Sequence, residues 1–139
     1  MLEIPQEYWN KLAEQLILIS SLLSGFSIAV VANLLVHDSK TRINNTIFKI
    51  ATVAAGCFLV SVFASTSILM KTTPGYPLPL DENSLFFPQI VCGITFLLGI
   101  SSLSAVLALS GWTKSKATGI FTTIIGVITF LFVLTFLTN

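Results

Sequence analysis

The feature that most constrains this chain is the spacing of its charged residues. Four long windows contain no Asp, Glu, Lys or Arg: 15–37, 50–70, 83–113 and 117–139. Each is longer than the roughly 20 apolar residues that an α-helix needs to cross about 30 Å of hydrocarbon. The sequence therefore predicts an all-α integral membrane protein, a single four-transmembrane-helix bundle with short loops over residues 1–139. The predicted spans are about 15–36, 47–70, 87–109 and 118–138.

Composition argues against a soluble protein. Only 9% of the residues are charged and 54% are hydrophobic, whereas soluble domains carry about a quarter charged residues. A soluble helical bundle would need polar residues along one face of each helix, but apart from Lys49 near one end, segments 47–70 and 120–137 are apolar or hydroxyl-bearing all round. The formal net charge of +1 makes nucleic acid an unexpected partner. The lipid bilayer is the expected surroundings of the chain.

The basic residues predict an orientation. One side of the four-span arrangement carries Lys40, Arg42, Lys49, Lys114 and Lys116, and the other carries Lys11 and Lys71. Short loops rich in Lys and Arg stay on the cytoplasmic side. We therefore expect loops 37–46 and 111–117 to be cytoplasmic and both termini to lie outside, in the plasma (inner) membrane.

The predicted spans lack the residues that catalysis or ion coupling normally uses. Apart from Lys49 at the edge of the second span, no Asp, Glu, Lys or Arg lies inside a span, whereas pumps and coupled transporters commonly place such groups there. The single histidine, His37, stands beside Asp38 at a helix end and is interpreted as an interfacial residue. Cys57 and Cys92 fall inside spans without the spacing of a metal site and are interpreted as packing residues. We expect no enzymatic activity, no catalytic residue, no metal and no cofactor.

Small and hydroxyl-bearing residues recur at helical spacing in three spans. The stripes are Ser21, Gly25, Ala29 and Ala32 in span one, with Ser20, Ser24 and Ser27 beside them; Thr95, Gly99, Ser102 and Ala105 in span three; and Gly119, Thr122, Gly126 and Thr129 in span four. Such faces allow close approach of helix backbones and hydrogen bonds between helices. They serve either packing within the bundle, for which Gly99, Ser102, Thr122 and Gly126 are candidates, or a pore or oligomer interface. Because one small bundle buries few stripes, a homo-oligomer or other membrane subunits are the expected partners.

The most polar side chain well inside a span is Asn33. It lies one turn before His37, on the helix face shared with Ala29 and Phe26. An amide in hydrocarbon needs a hydrogen-bond partner. Asn33 therefore either bonds a neighbouring helix or a carbonyl near the headgroups, or points into an axis shared by several copies.

Residues 22–33, LLSGFSIAVVAN, resemble the pore-lining first helix of Orai-type calcium channels. That helix has a similar Leu-Leu-Ser-Gly-Phe start and an acidic residue where Asn33 falls. In that family the first helices of several subunits line one central pore, and an acidic ring selects calcium. The resemblance implies that Gly25, Phe26 and Ala29 face a pore and that Asn33 occupies the filter position.

The chain also departs from that family. A neutral Asn33 would not attract calcium as a ring of carboxylates does. Glu3, Glu7 and Glu14 stand where the family carries a basic stretch, and the orientation expected from the basic loops is the reverse of the family's.

These observations favour a homo-oligomeric pore or ion channel with span one nearest its axis. The pore or interface candidates are Ser21, Gly25, Phe26, Ala29 and Asn33. One alternative, a non-conducting accessory subunit of a larger membrane complex, would use the same stripes to bind a partner. Another is a membrane-damaging effector controlled by a separate partner.

Overall fold

The computed structural model describes residues 6–36, 41–75, 77 and 82–138. Within these ranges all regular structure is helical: α1 (Gln6–Val36), α2 (Arg42–Thr72), α3 (Glu82–Ser110), a single 3-10 turn (Gly111–Thr113) and α4 (Lys116–Thr138). Each of the four α-helices is long and apolar enough to cross a membrane. The predicted all-α, four-helix fold is confirmed.

The helices extend beyond the predicted spans, because their ends continue into polar sequence. At the start of α2, the Thr41 side chain accepts a hydrogen bond from the Asn44 backbone N–H at 3.4 Å, which satisfies one of the free amides of the first turn. Much of the predicted loop 37–46 is therefore helical. Residues 37–40, with His37 and Asp38, lie outside the described residues.

Pro88 lies in the interior of α3, which begins before the predicted span start at about residue 87. Proline has no backbone N–H, so the carbonyl one turn earlier in the helix, that of Ser84, loses its usual partner. The Nζ atom of Lys71, in the last turn of α2, donates a hydrogen bond to this carbonyl at 2.8 Å. A contact between two helices thus replaces the missing bond, and α3 continues back to Glu82.

The helices pack in chain order, α1 on α2, α2 on α3 and α3 on α4. Helix α2 is the central element, and its buried residues are Ile47, Ala51, Ala54, Ala55, Phe58, Ser61, Ser65, Ile68 and Thr72. In α4 only Gly119 and Gly126 are buried among the described residues. The core therefore lies around α2, and α4 is peripheral.

A close contact of the core joins the middles of α2 and α3. The Phe58 side chain is completely buried and meets the Phe96 ring edge to face, with the ring centroids 6.2 Å apart. A Cβ atom placed on Gly99 would come within 2.7 Å of the Phe58 ring. Gly99 therefore provides the gap in α3 that receives the largest buried side chain of α2.

Candidate functional site

Helix α1 has two faces of small residues, and only one of them is inside the bundle. Ser20, Ser24 and Ser27 are buried. The Ser20 hydroxyl lies 3.3 Å from the hydroxyl of Ser61 in α2, and Ser24 donates to the Ala55 carbonyl at 3.4 Å. This serine face is the surface by which α1 packs on α2.

A chain of buried polar groups continues from this face into α3. The Sγ atom of Cys92 lies 3.6 Å from the Ser61 hydroxyl and 3.0 Å from the Ser65 hydroxyl. Hydrogen bonds of this kind connect transmembrane helices, so Ser61 joins α1 to α3 through α2. Sequence reasoning did not single out Ser61 and Ser65, although their four-residue spacing in an apolar span was the available signal.

The second face of α1 carries the five pore or interface candidates. Ser21, Gly25, Phe26, Ala29 and Asn33 are all exposed. No atom lies within 4 Å of a Cβ atom built on Gly25, and Phe26 exposes 69% of its surface. At about 100° per residue, the line of Ser21, Gly25 and Ala29 is turned by roughly 130° from the buried serines. The structure places all five candidates on the outside of the bundle, with Phe26 and Asn33 at the edge of a groove described below.

Two of the helix-packing candidates lie in the contact between α3 and α4. A Cβ atom on Gly126 would lie 3.1 Å from the Ser104 carbonyl oxygen, so the two backbones approach closely there. The Thr122 hydroxyl donates to the Ala108 carbonyl at 3.0 Å. These contacts hold α4 against α3.

The other two helix-packing candidates are in α3. Gly99 lies under the ring of Phe58, and Ser102 is half-buried. Gly99 therefore takes part in the contact between α2 and α3, away from α4.

The turn between α3 and α4 is compact. A Cβ atom on Gly119 would lie 2.6 Å from the Trp112 ring, and Trp112 Nε1 donates to the Thr123 hydroxyl at 3.1 Å. Gly111 is buried, and a Cβ atom there would lie 2.5 Å from the Thr118 carbonyl oxygen. Aromatic and glycine residues thus fix the angle at which α4 leaves α3.

The described residues carry few side chains of the types that hold metal ions. They contain no group of three His, Cys, Asp or Glu side chains that could hold a metal ion. Cys57 and Cys92 are free thiols. Every buried side-chain nitrogen or oxygen among these residues has a hydrogen-bond partner. The features of interest are therefore surfaces, namely the exposed face of α1 and a groove described below.

No protein-family model, curated protein or solved structure matches this chain. Its class rests on the fold: four apolar helices, each able to cross a bilayer, define a multi-pass α-helical membrane protein.

Proposed function

We propose that the chain forms a homo-oligomeric membrane pore or ion channel in which α1 of each copy lies nearest a shared axis. The observation that carries the proposal is the uncovered small face of α1, formed by Ser21, Gly25 and Ala29. Small residues on an outward face allow the backbones of neighbouring helices to approach closely. A second copy of α1 supplies a surface of the same kind.

The side-chain amide of Asn33 also favours placing this side of α1 at a shared axis and not against lipid. Asn33 is exposed, and its side chain makes no hydrogen bond within the described parts of the chain. At the edge of the hydrocarbon, an amide that faces lipid without a hydrogen-bond partner is unfavourable by up to a few kcal/mol. At a shared axis the amide would meet water or the same residue of another copy. The resemblance of residues 22–33 to the first helix of Orai-type channels supports the same placement.

The oligomeric state tests the interface. The purified protein in nanodiscs, or in native mass spectrometry, is expected to be a discrete homo-oligomer, as a closed ring requires. The Gly25→Leu variant is expected to shift to monomers, because a leucine would separate the backbones that meet at this face. Gly56→Leu is the matched control, since Gly56 of α2 is also exposed with no atom within 4 Å of an added Cβ.

A monomeric wild-type protein would rule out the multi-subunit pore and favour the accessory subunit or the partner-controlled effector. An unaltered oligomer in Gly25→Leu would show that the interface lies elsewhere.

Conductance in liposomes tests the pore. The Asn33→Asp variant is expected to raise cation permeability relative to anion permeability several-fold, because a ring of carboxylates at the axis attracts cations. The control is Asn45→Asp, which adds the same charge at an exposed position in the first turn of α2. If a well-folded Asn33→Asp protein keeps the wild-type conductance and selectivity, Asn33 does not line the pathway.

A further inference from the structure

A groove opens on the side of the bundle where α1 ends and α4 begins. Its walls come from α1, the first turns of α2, the last turns of α3 and the segment after α3, and its volume is about 760 Å³. A second groove of about 450 Å³, between α1, α3 and α4, continues from it toward the middle of the bundle. Leu103 and Leu107 line both. We call the two together the lateral groove.

The chemistry of the lateral groove changes along its length. Its outer end is lined by the polar residues Asn33, Asn44, Ser110, Thr113 and Lys114. Further in, the lining is almost entirely aliphatic and aromatic, as at Leu23, Ile100 and Val133. A groove with a polar end and a long apolar part is suited to an amphiphile.

The polar end is positively charged. Lys114 is exposed and forms no ion pair within the described ranges, where the one salt bridge joins Lys11 to Glu7. Arg42, Lys49 and Lys116 belong to the same end of the bundle. The acidic residues of the described helices lie near the starts of α1 and α3, at the opposite end. The charge at the groove is therefore complementary to an anion.

The length of the apolar part matches one leaflet of a bilayer. Along α3, the distance from Ser110 at the polar end to Ile100 is about 15 Å at roughly 1.5 Å per residue. This is half of the roughly 30 Å hydrocarbon thickness. An acyl chain whose headgroup lies at Ser110 would thus run beside Leu107 and Leu103 to the bilayer midplane.

We propose that the lateral groove binds an anionic phospholipid, with the phosphate at Lys114 and an acyl chain along α3 between α1 and α4. The hydroxyls of Ser110 and Thr113 lie at the same level, but they donate their protons to the Leu107 and Ser110 carbonyls. Lys114 is therefore the group that binds the phosphate. A helix of a second copy is the less suitable occupant, because it would cover the charge of Lys114 without neutralising it. Of the pore candidates, Phe26 and Asn33 also line the groove, whereas Ser21, Gly25 and Ala29 do not. The lipid proposal therefore does not require the interface at Gly25.

The test measures lipid binding to the delipidated protein by native mass spectrometry, with phosphatidylglycerol and phosphatidylcholine of identical acyl chains as the probes. The wild-type protein is expected to retain phosphatidylglycerol preferentially, at one molecule per chain. The Lys114→Gln substitution is expected to reduce the affinity for phosphatidylglycerol several-fold, to the level of the affinity for phosphatidylcholine. Lys116→Gln is the matched control, because Lys116 opens α4 at the same end but does not line the groove.

A second pair of variants tests the apolar part. Leu107→Trp narrows the junction of the two grooves and is expected to weaken the binding of both lipids. The control is Ile94→Trp, at an exposed position of α3 outside the groove, which is expected to leave lipid binding unchanged. The proposal would be overturned if the wild-type protein retained the two lipids equally, or if Lys114→Gln and Lys116→Gln lost the same amount of phosphatidylglycerol affinity. It would also be overturned if Leu107→Trp bound both lipids like the wild type. Loss of an oligomer in Leu107→Trp without loss of lipid would identify a second copy as the occupant.

Discussion

The Phe58→Ala variant is expected to lose about 3 kcal/mol of unfolding free energy, the lower end of the range for this change in protein cores. Phe58 is completely buried and fills the gap over Gly99 beside the Phe96 ring. Lipid chains are as apolar as the core, so little transfer free energy is lost in a membrane. The loss comes from the dispersion contacts that the cavity removes.

Reversible unfolding in bicelles measures this effect. The matched control is Phe63→Ala, because Phe63 is on the same helix but 74% exposed, and its loss should stay within about 0.5 kcal/mol. Equal losses in the two variants would mean that Phe58 does not hold α2 against α3.

The Gly111→Leu variant is expected to lose about 3 kcal/mol of unfolding free energy, the upper part of the range for overpacked substitutions. A Cβ atom at Gly111 would collide with the Thr122 side chain and lie 2.5 Å from the backbone carbonyl oxygen of Thr118. A side chain can rotate away, but this carbonyl belongs to the first turns of α4 and moves only with the helix. The substitution therefore opens the turn between α3 and α4.

Trp112 reports this opening, because its ring covers Gly119 and its Nε1 donates to Thr123. In a Trp9→Phe background, which leaves Trp112 as the sole tryptophan, the Gly111→Leu variant should show increased quenching by a water-soluble quencher. Gly93→Leu in α3 is the control, since no atom lies within 4 Å of an added Cβ there. Unchanged quenching together with wild-type stability would contradict the close packing at Gly111.

The number of helices was predictable because hydrocarbon excludes charge and requires every backbone group to bond within a helix. The residues at which the helices begin and end were less predictable. The extension of α3 before Pro88 depends on Lys71, a residue of another helix that supplies the bond proline cannot make. Nothing within residues 82–88 indicates that partner.

For the candidate site, the sequence indicates which residues to consider but not which of them share a surface. Ser20 and Ser21 are both small and hydroxyl-bearing, yet the first is buried against α2 and the second is exposed. In a soluble helix the contrast of apolar and polar faces shows which side is inside. A helix that is apolar all round carries no such contrast, so sequence alone did not separate the packing stripe from the outward one.

By itself, the sequence determined an all-α membrane class with four spans, because charge-free windows of this length are stable in hydrocarbon only as helices. Only the tertiary structure decided which faces meet. Since lipid solvates every apolar face equally well, the pairing depends on shape and on hydrogen bonds. Phe58 enters the gap at Gly99, and the Ser61 hydroxyl lies within hydrogen-bonding distance of Ser20 and Cys92. The Gly25 face of α1 is left uncovered.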